Sequence, residues 1–230
     1  MPLYPESKLL DMGTQVVSIS VGKKPDHEDF TVHEWLIRES STLIHATLLS
    51  DQSERKERKI SLPDYKPKDF KIYMQWLYTE RVLMESGLDD DTQMNANCQS
   101  LIKGYLLGCH LGDEMYRDTI MDFLLEWNYQ ICTYYCQRPI FENVKTVFDS
   151  TELGDPLRKF MVDFTVWNAS HDFWVKNYED FPEHFVAMVS IGHSSRSHYG
   201  GDPPISCVKK RPCLYHCHTD ETCYKKRLDR

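Results

Sequence analysis

Short apolar runs separated by polar turns predict a small sheet in the first third of the chain. Residues 16–21 alternate weakly and are rich in β-branched side chains, which is typical of a mostly buried strand. The turn-rich residues 22–29 predict a hairpin-like connection, from which residues 30–32 return as the partner strand. A third short strand is expected at residues 60–62, where a proline then ends it.

Beyond residue 33 the apolar side chains recur at three- and four-residue intervals, which predicts helices. Two short helices are expected on either side of Ser40-Ser41, and Pro67 suits the first turn before a helix over 69–81. The acidic residues 84–97 predict a solvated loop. Later helices are expected at residues 98–111, 115–136, 140–150, 157–169 and 181–191.

Composition indicates a folded domain and excludes several functional classes. Hydrophobic residues make up 41% of the 230 residues, enough to bury a core. The net charge of −8 argues against a protein that binds nucleic acid by neutralising phosphates. No apolar run reaches the roughly 18 residues of a membrane span, and residues 1–6 do not resemble a secretory signal. We therefore expect an intracellular protein, in the cytoplasm or the nucleus, whose cysteines are thiols or metal ligands.

Three motifs follow one another in the first 81 residues. They are Phe-x-Val-His at 30–33, Ile-x-Leu-Pro at 60–63 and Gln-Trp-Leu-Tyr-Thr at 75–79. In this order they resemble the BTB/POZ domain family, and in detail its filamentous-fungal branch. Residues 157–191 also resemble the helical extension that the fungal proteins carry.

The resemblance implies an α+β protein with the BTB/POZ fold, a small mixed sheet wrapped by helices and followed by a helical C-terminal extension. We expect a lead-in at 1–15, the BTB/POZ domain at 16–136, the extension at 139–192, and a flexible basic tail rich in Cys and His at 193–230. The family implies a non-enzymatic module for protein–protein interaction. The sequence agrees, because it contains no G-x-S-x-G, Walker or G-x-G-x-x-G motif.

The family also implies where partners bind. Its dimers use the N-terminal region and the first helix, which places Trp35 and Leu36 on an interaction surface of a homodimer, although Glu34, Arg38 and Glu39 make that helix polar. Some members are adaptors that bind a cullin scaffold through an apolar residue two positions before a glutamate. The nearest match, Gln52-Ser53-Glu54, has glutamine at the apolar position, which argues against a cullin partner.

Metal-ligand chemistry is concentrated in the last 24 residues. Cys213, His216, Cys217 and Cys223 are the candidate zinc ligands, because thiolate and imidazole suit tetrahedral zinc. His218 directly follows Cys217, and two adjacent residues do not easily ligate one ion. The alternative is an unstructured tail whose thiols bind nothing, so that the protein has no cofactor. Basic triplets at 209–211 and 225–227 are compatible with a zinc-linked nuclear regulator.

Overall fold

The computed structural model describes residues 12–50, 58–83, 91–134, 138–218 and 223. Contacts divide the chain into two units, one of Met1–Leu83 with His110–Asp113 and the other of Met84–Cys109 with Glu114–Arg230. Within the described ranges, no helix has both the length and the apolar character that a membrane crossing requires. The domain boundaries expected from the sequence stay a prediction.

A mixed sheet forms the centre of the first unit. Strand β1 (Val16–Val21) lies between β2 (Glu28–His33), with which it pairs antiparallel, and β3 (Lys59–Leu62), with which it pairs parallel. Apolar residues alternate with serine along the second half of β1, and the side chains of Val17, Ile19 and Val21 are fully buried. The α+β architecture and the mixed sheet expected from the sequence are therefore confirmed.

The helices of the first unit are α1 (Glu34–Ser40), α2 (Thr42–Ser50) and α3 (Pro67–Thr79), among the residues that the structure describes. The buried Ser41 separates the first two: its hydroxyl accepts the Ile44 N–H at 3.1 Å and donates to the Leu111 carbonyl at 2.6 Å. A serine that satisfies the free backbone groups of a helix start is a typical cap. Helix α3 begins on Pro67, as predicted, and ends where Glu80 adopts a left-handed conformation (φ 54°).

The second unit is helical in its described residues. Its elements are α4 (Asp91–Leu111, the last two residues of which belong to the first unit), α5 (Glu114–Tyr134), α6 (Arg138–Ser150), α7 (Pro156–Asn168), α8 (His171–Asn177), a 3₁₀ turn (Tyr178–Asp180), α9 (Glu183–Tyr199) and α10 (Pro204–Lys210). Local signals start two of these helices: Asp155 and Ser170 accept backbone N–H groups at the first turns of α7 and α8.

Aromatic side chains build much of the core of the second unit. The rings of Phe141 and Phe173 have centroids 4.2 Å apart, and Phe181 and Phe185 have centroids 5.2 Å apart. Tilted and edge-on ring pairs of this kind add about 0.5–1.5 kcal/mol each to the free energy of area burial. Aromatic contacts therefore connect the helices after residue 139, which form a helical C-terminal extension.

The structure differs from the sequence prediction at residues 91–97, which begin helix α4 instead of extending the loop. The segment carries little apolar periodicity, and its helix is supported by polar contacts. The Gln93 amide donates to the Asn97 side chain at 2.9 Å, one turn further on, and Asn97 is 7% exposed. Composition alone therefore predicted a loop where the chain is helical.

A second difference concerns the expected flexible tail, because α9 continues to Tyr199 and α10 follows it. Gly192 of α9 leaves room for close packing on α7, since a Cβ at this position would lie 2.6 Å from Val166 Cγ2. Arg196 donates to the Val166 carbonyl at 2.7 Å and lies 3.6 Å above the centre of the Trp167 ring. These contacts order the segment, and its polar composition does not predict them.

Candidate functional site

Helix α1 presents one large aromatic side chain to solvent in the first unit. Trp35 is 44% exposed, Leu36 is half-buried and Ile37 is fully buried. The sequence places Trp35 and Leu36 together on an interaction surface, and the structure makes Trp35 the more accessible of the two. An exposed tryptophan supplies both apolar area and an N–H donor to a partner.

The charges of α1 do not all lie on that exposed surface. Glu34 is 3% exposed, and its carboxylate pairs with Arg38 at 3.2 Å and with Arg58 at a shorter distance. Glu39 is exposed. One of the three charges that make the helix polar in sequence is therefore buried and paired, which leaves the face around Trp35 more apolar than the sequence indicates.

A shallow groove of about 310 Å³ adjoins Trp35. Residues 12–15 form one side of it, and Glu34, Trp35, Arg38 and Glu39 form the other. Other large apolar side chains of the first unit are also exposed, namely Val16 at 49%, Leu43 at 38%, Leu49 at 60% and Leu83 at 59%. Such side chains are normal when scattered, so the groove beside Trp35 is the feature that favours a partner.

His33 has a structural role at the junction of β2 and α1. The Tyr78 hydroxyl accepts the His33 backbone N–H at 3.1 Å and bonds to the imidazole Nδ1 at 2.8 Å. These bonds join the Phe-x-Val-His motif to the Trp-Leu-Tyr motif of α3. The order of motifs in the sequence therefore corresponds to direct contacts in the first unit.

The Cys/His segment is anchored in the second unit by Tyr215. This residue is 1% exposed, its ring lies edge-on to Phe160 at 5.6 Å, and its hydroxyl donates to Asp163 at 2.8 Å. Burial, followed by the Asp163 charge, raises the pKa of the Tyr215 hydroxyl well above its usual range. The hydroxyl therefore stays protonated and continues to donate to α7.

Two aspartates of α5 hold the residues after Tyr215. Asp118 is fully buried and accepts the Cys217 backbone N–H at 2.6 Å, and it also makes a short contact with His218 Nδ1. Asp122, one turn further along α5, bonds to His216 Nε2 at 3.1 Å. Because residues four apart share a helix face, α5 presents both carboxylates to the same segment.

Four side chains converge beside these aspartates. The ligand atoms of Cys213, His216, His218 and Cys223 all lie within 4.8 Å of one another. The structure therefore brings together three of the four residues that the sequence predicts as ligands, and it places His218 with them instead of Cys217. Cys223 is 5% exposed and His216 is 7% exposed, so the cluster is largely shielded from solvent.

Cys217 lies toward another group of side chains. Its Sγ is 3.9 Å from the Tyr105 hydroxyl, which also contacts Arg117 and Asp155. Burial, and next the Asp118 charge, raise the pKa of the Cys217 thiol to about 12. The Cys217 thiol therefore lies outside the cluster, in a half-buried position beside Tyr105.

Sequence reasoning missed Asp118 and Asp122 of this site, and it preferred Cys217 to the adjacent His218. Asp118 and Asp122 are spaced by four within a helix whose other side chains at Ile120, Met121 and Leu124 are buried. Acidic residues on such a helix indicate that their carboxylates bind polar groups inside the protein, since an unpaired carboxylate is costly to bury.

The basic triplet at 209–211 lies at the end of α10 and is exposed. The triplet at 225–227 and the Gln52-Ser53-Glu54 motif lie outside the described residues.

Comparison with protein families identifies the N-terminal part of the chain. Residues 16–101 match the family model described as BTB/POZ domain. This match supports the BTB family and agrees with the three-stranded sheet and helices described above, so the BTB/POZ fold predicted from the motifs is confirmed. A comparison with curated proteins finds no match. The BTB/POZ domain is a module for protein–protein interaction and self-association.

Proposed function

We propose that this chain is a BTB/POZ interaction module that pairs with a second copy of itself through the surface formed by Trp35 and the adjoining groove. The observation that carries the proposal is the 44% exposure of Trp35 on a helix whose Glu34 is buried and paired. The family match supplies the second support, because self-association is a property of BTB/POZ domains. We therefore expect a second copy of the chain to bind at this groove.

The expected contribution of Trp35 follows from its exposed area. An aromatic side chain buries about 150–250 Å², so 44% exposure leaves about 65–110 Å² available to a partner. At about 25 cal/mol per Å² this area corresponds to about 2–3 kcal/mol. In a two-fold dimer the same patch is used twice, and tryptophan is among the residues most enriched at energetic centres of interfaces.

Sedimentation velocity over a concentration series tests the proposal. We expect the unmodified protein to dimerise, and Trp35→Glu to weaken the dimer by at least about 30-fold in Kd, which corresponds to about 2 kcal/mol. Leu153→Glu is the matched control, because Leu153 is 73% exposed in the second unit and does not line the groove beside Trp35. An unmodified protein that stays monomeric, or a Trp35→Glu dimer of unchanged affinity, contradicts the proposal.

Narrower functions rest mainly on sequence motifs. A cullin adaptor is one, and calorimetry with the N-terminal region of a cullin tests it: binding assigns an adaptor function, and no binding leaves the self-associating module. Assignment to the filamentous-fungal branch is supported by the motifs at 30–33 and 75–79. A zinc-linked nuclear regulator is supported by the exposed triplet at 209–211 and depends on a metal at the Cys/His cluster.

A further inference from the structure

We propose that Cys213, His216, His218 and Cys223 form a structural zinc site that fastens the C-terminal segment to helix α5, with Asp118 and Asp122 orienting the two imidazoles. The inference is independent of self-association, since every residue of the site belongs to the second unit. It also differs from the ligand set predicted by the sequence, which contains Cys217 in place of His218.

The donor set and its spacing fit zinc. Two thiolates and two imidazoles make up one of the common closed tetrahedral sites, with Zn–S of about 2.3 Å and Zn–N of about 2.0–2.1 Å. These bond lengths place neighbouring ligand atoms about 3.3–3.8 Å apart. The four atoms already lie within 4.8 Å of one another, so binding requires movements of about 1–1.5 Å at most.

Each imidazole of the cluster bonds through one ring nitrogen to an aspartate of α5, which is the usual arrangement of metal-ligating histidines. His218 Nδ1 bonds to Asp118 and His216 Nε2 bonds to Asp122, so the opposite nitrogen of each ring is the one directed to an ion. A carboxylate on the second ring nitrogen fixes the tautomer and the orientation of a ligating histidine. Each of the two histidines thus has its own carboxylate partner.

One buried atom requires a partner that the described protein groups do not provide. The His218 side chain is 8% exposed, and its Nε2 makes no hydrogen bond within the described part of the chain. A buried polar atom left unsatisfied costs about 1–3 kcal/mol. A zinc ion bound to Nε2 removes this cost, and for that reason the atom points to a ligand at the cluster.

The charges indicate a structural role. Two thiolates and two neutral imidazoles balance the two positive charges of zinc, and all four tetrahedral positions are filled by protein, which leaves none open for a substrate. The ligands span residues 213–223, and Tyr215 within this span is already buried against α7. The metal would therefore link Cys223 to residues 213–218, which Tyr215 already anchors on α7.

Metal content of purified protein is the first test. Protein prepared without chelators or a histidine tag should contain about one zinc per chain by elemental mass spectrometry. Cobalt substitution gives an independent readout, because tetrahedral Co²⁺ has intense visible bands and its charge-transfer band scales with the number of thiolates. Two thiolates are expected from the proposed set and three from the set that contains Cys217.

Matched variants distinguish the two ligand sets. His218→Ala and Cys223→Ser should lose the metal, whereas Cys217→Ser should retain it. Asp122→Asn should keep the metal but bind it about 10–100-fold more weakly in competition with a chromogenic chelator. Far-ultraviolet circular dichroism and limited proteolysis identify variants that fail to fold. The cobalt spectrum of the unmodified protein tests the number of thiolate ligands even if every variant fails to fold.

Three results would overturn the inference. The first is an unmodified protein that takes up no zinc even when zinc is added. The second is loss of metal from Cys217→Ser with retention in His218→Ala. The third is an intact mass that shows a Cys213–Cys223 disulfide in protein purified with reductant. The two sulfur atoms would then be close because they form a covalent bond, and not because they bind a metal.

Discussion

The free energy of unfolding of the second unit should depend strongly on Asp155, which joins α4, α5 and α7. Its Oδ1 accepts the Leu157 N–H at 2.9 Å and the Tyr105 hydroxyl at 3.1 Å, and its Oδ2 accepts from Arg117 at 2.8 Å. The Asp155 side chain is 8% exposed and that of Arg117 is 17% exposed. A helix cap and an ion pair therefore share one carboxylate, and a pair of substitutions can separate them.

Asp155→Asn removes the charge and keeps the cap. The amide oxygen can still accept from Leu157 and Tyr105, but the amide N–H₂ then faces the Arg117 donor. Removing one partner of a buried pair costs about 3–5 kcal/mol, and we expect about 3 kcal/mol because Arg117 retains some solvent contact. Asp155→Ala also removes the cap, which adds about 1 kcal/mol. Arg117→Met with Asp155→Asn should recover most of the loss, because no buried charge is then left unpaired.

Urea unfolding followed by tryptophan fluorescence and circular dichroism measures these differences. All variants should be compared both with excess zinc and with chelator, so that metal binding does not mask the effect. About 3 kcal/mol corresponds to about 6–12 °C in Tm for a chain of this size. An Asp155→Asn protein within about 1 kcal/mol of the unmodified one would refute the argument, because the Arg117 charge would then be stable without its partner.

Two further predictions concern a glycine and the buried thiols. Gly112→Ala should lower the free energy of unfolding by about 2–4 kcal/mol, because the new Cβ would lie 2.0 Å from Thr42 Oγ1 at a φ of +64°. Gly154→Ala, also at positive φ but in open space, should cost about 1–2 kcal/mol in the same urea titration, and equal losses would refute the steric argument. Cys109 should react with iodoacetamide about 10³-fold more slowly in the native protein than in urea at pH 8, since burial raises its pKa from 9.0 to about 12. Peptide mass spectrometry measures this rate and should find Cys98, whose pKa burial also raises, similarly protected; rates within tenfold of those in urea would contradict the prediction.

The sheet and the first helices were predictable from local signals. The β-branched alternation of β1, the break at Ser41 and the proline that begins α3 each act through their own backbone or their nearest neighbours. The start of α4 at Asp91 and the helical structure of residues 193–210 were not predictable in this way. The first is supported by polar pairs such as Gln93 with Asn97, which apolar periodicity does not reveal, and the second depends on contacts with residues distant in sequence, such as that between Arg196 and Val166.

The choice between Cys217 and His218 shows the same limit at the candidate metal site. Cys217 and His218 are adjacent in the chain, only His218 lies with the cluster, and the sequence does not say which of the two it would be. Asp118 decides the question because it binds both the Cys217 backbone N–H and His218 Nδ1, and these bonds direct the imidazole to the cluster and the thiol toward Tyr105. A carboxylate about 100 positions earlier in the chain therefore determines which of the two side chains faces the cluster. Replacing Asp118 should therefore disturb the position of His218 more than replacing Cys217 does.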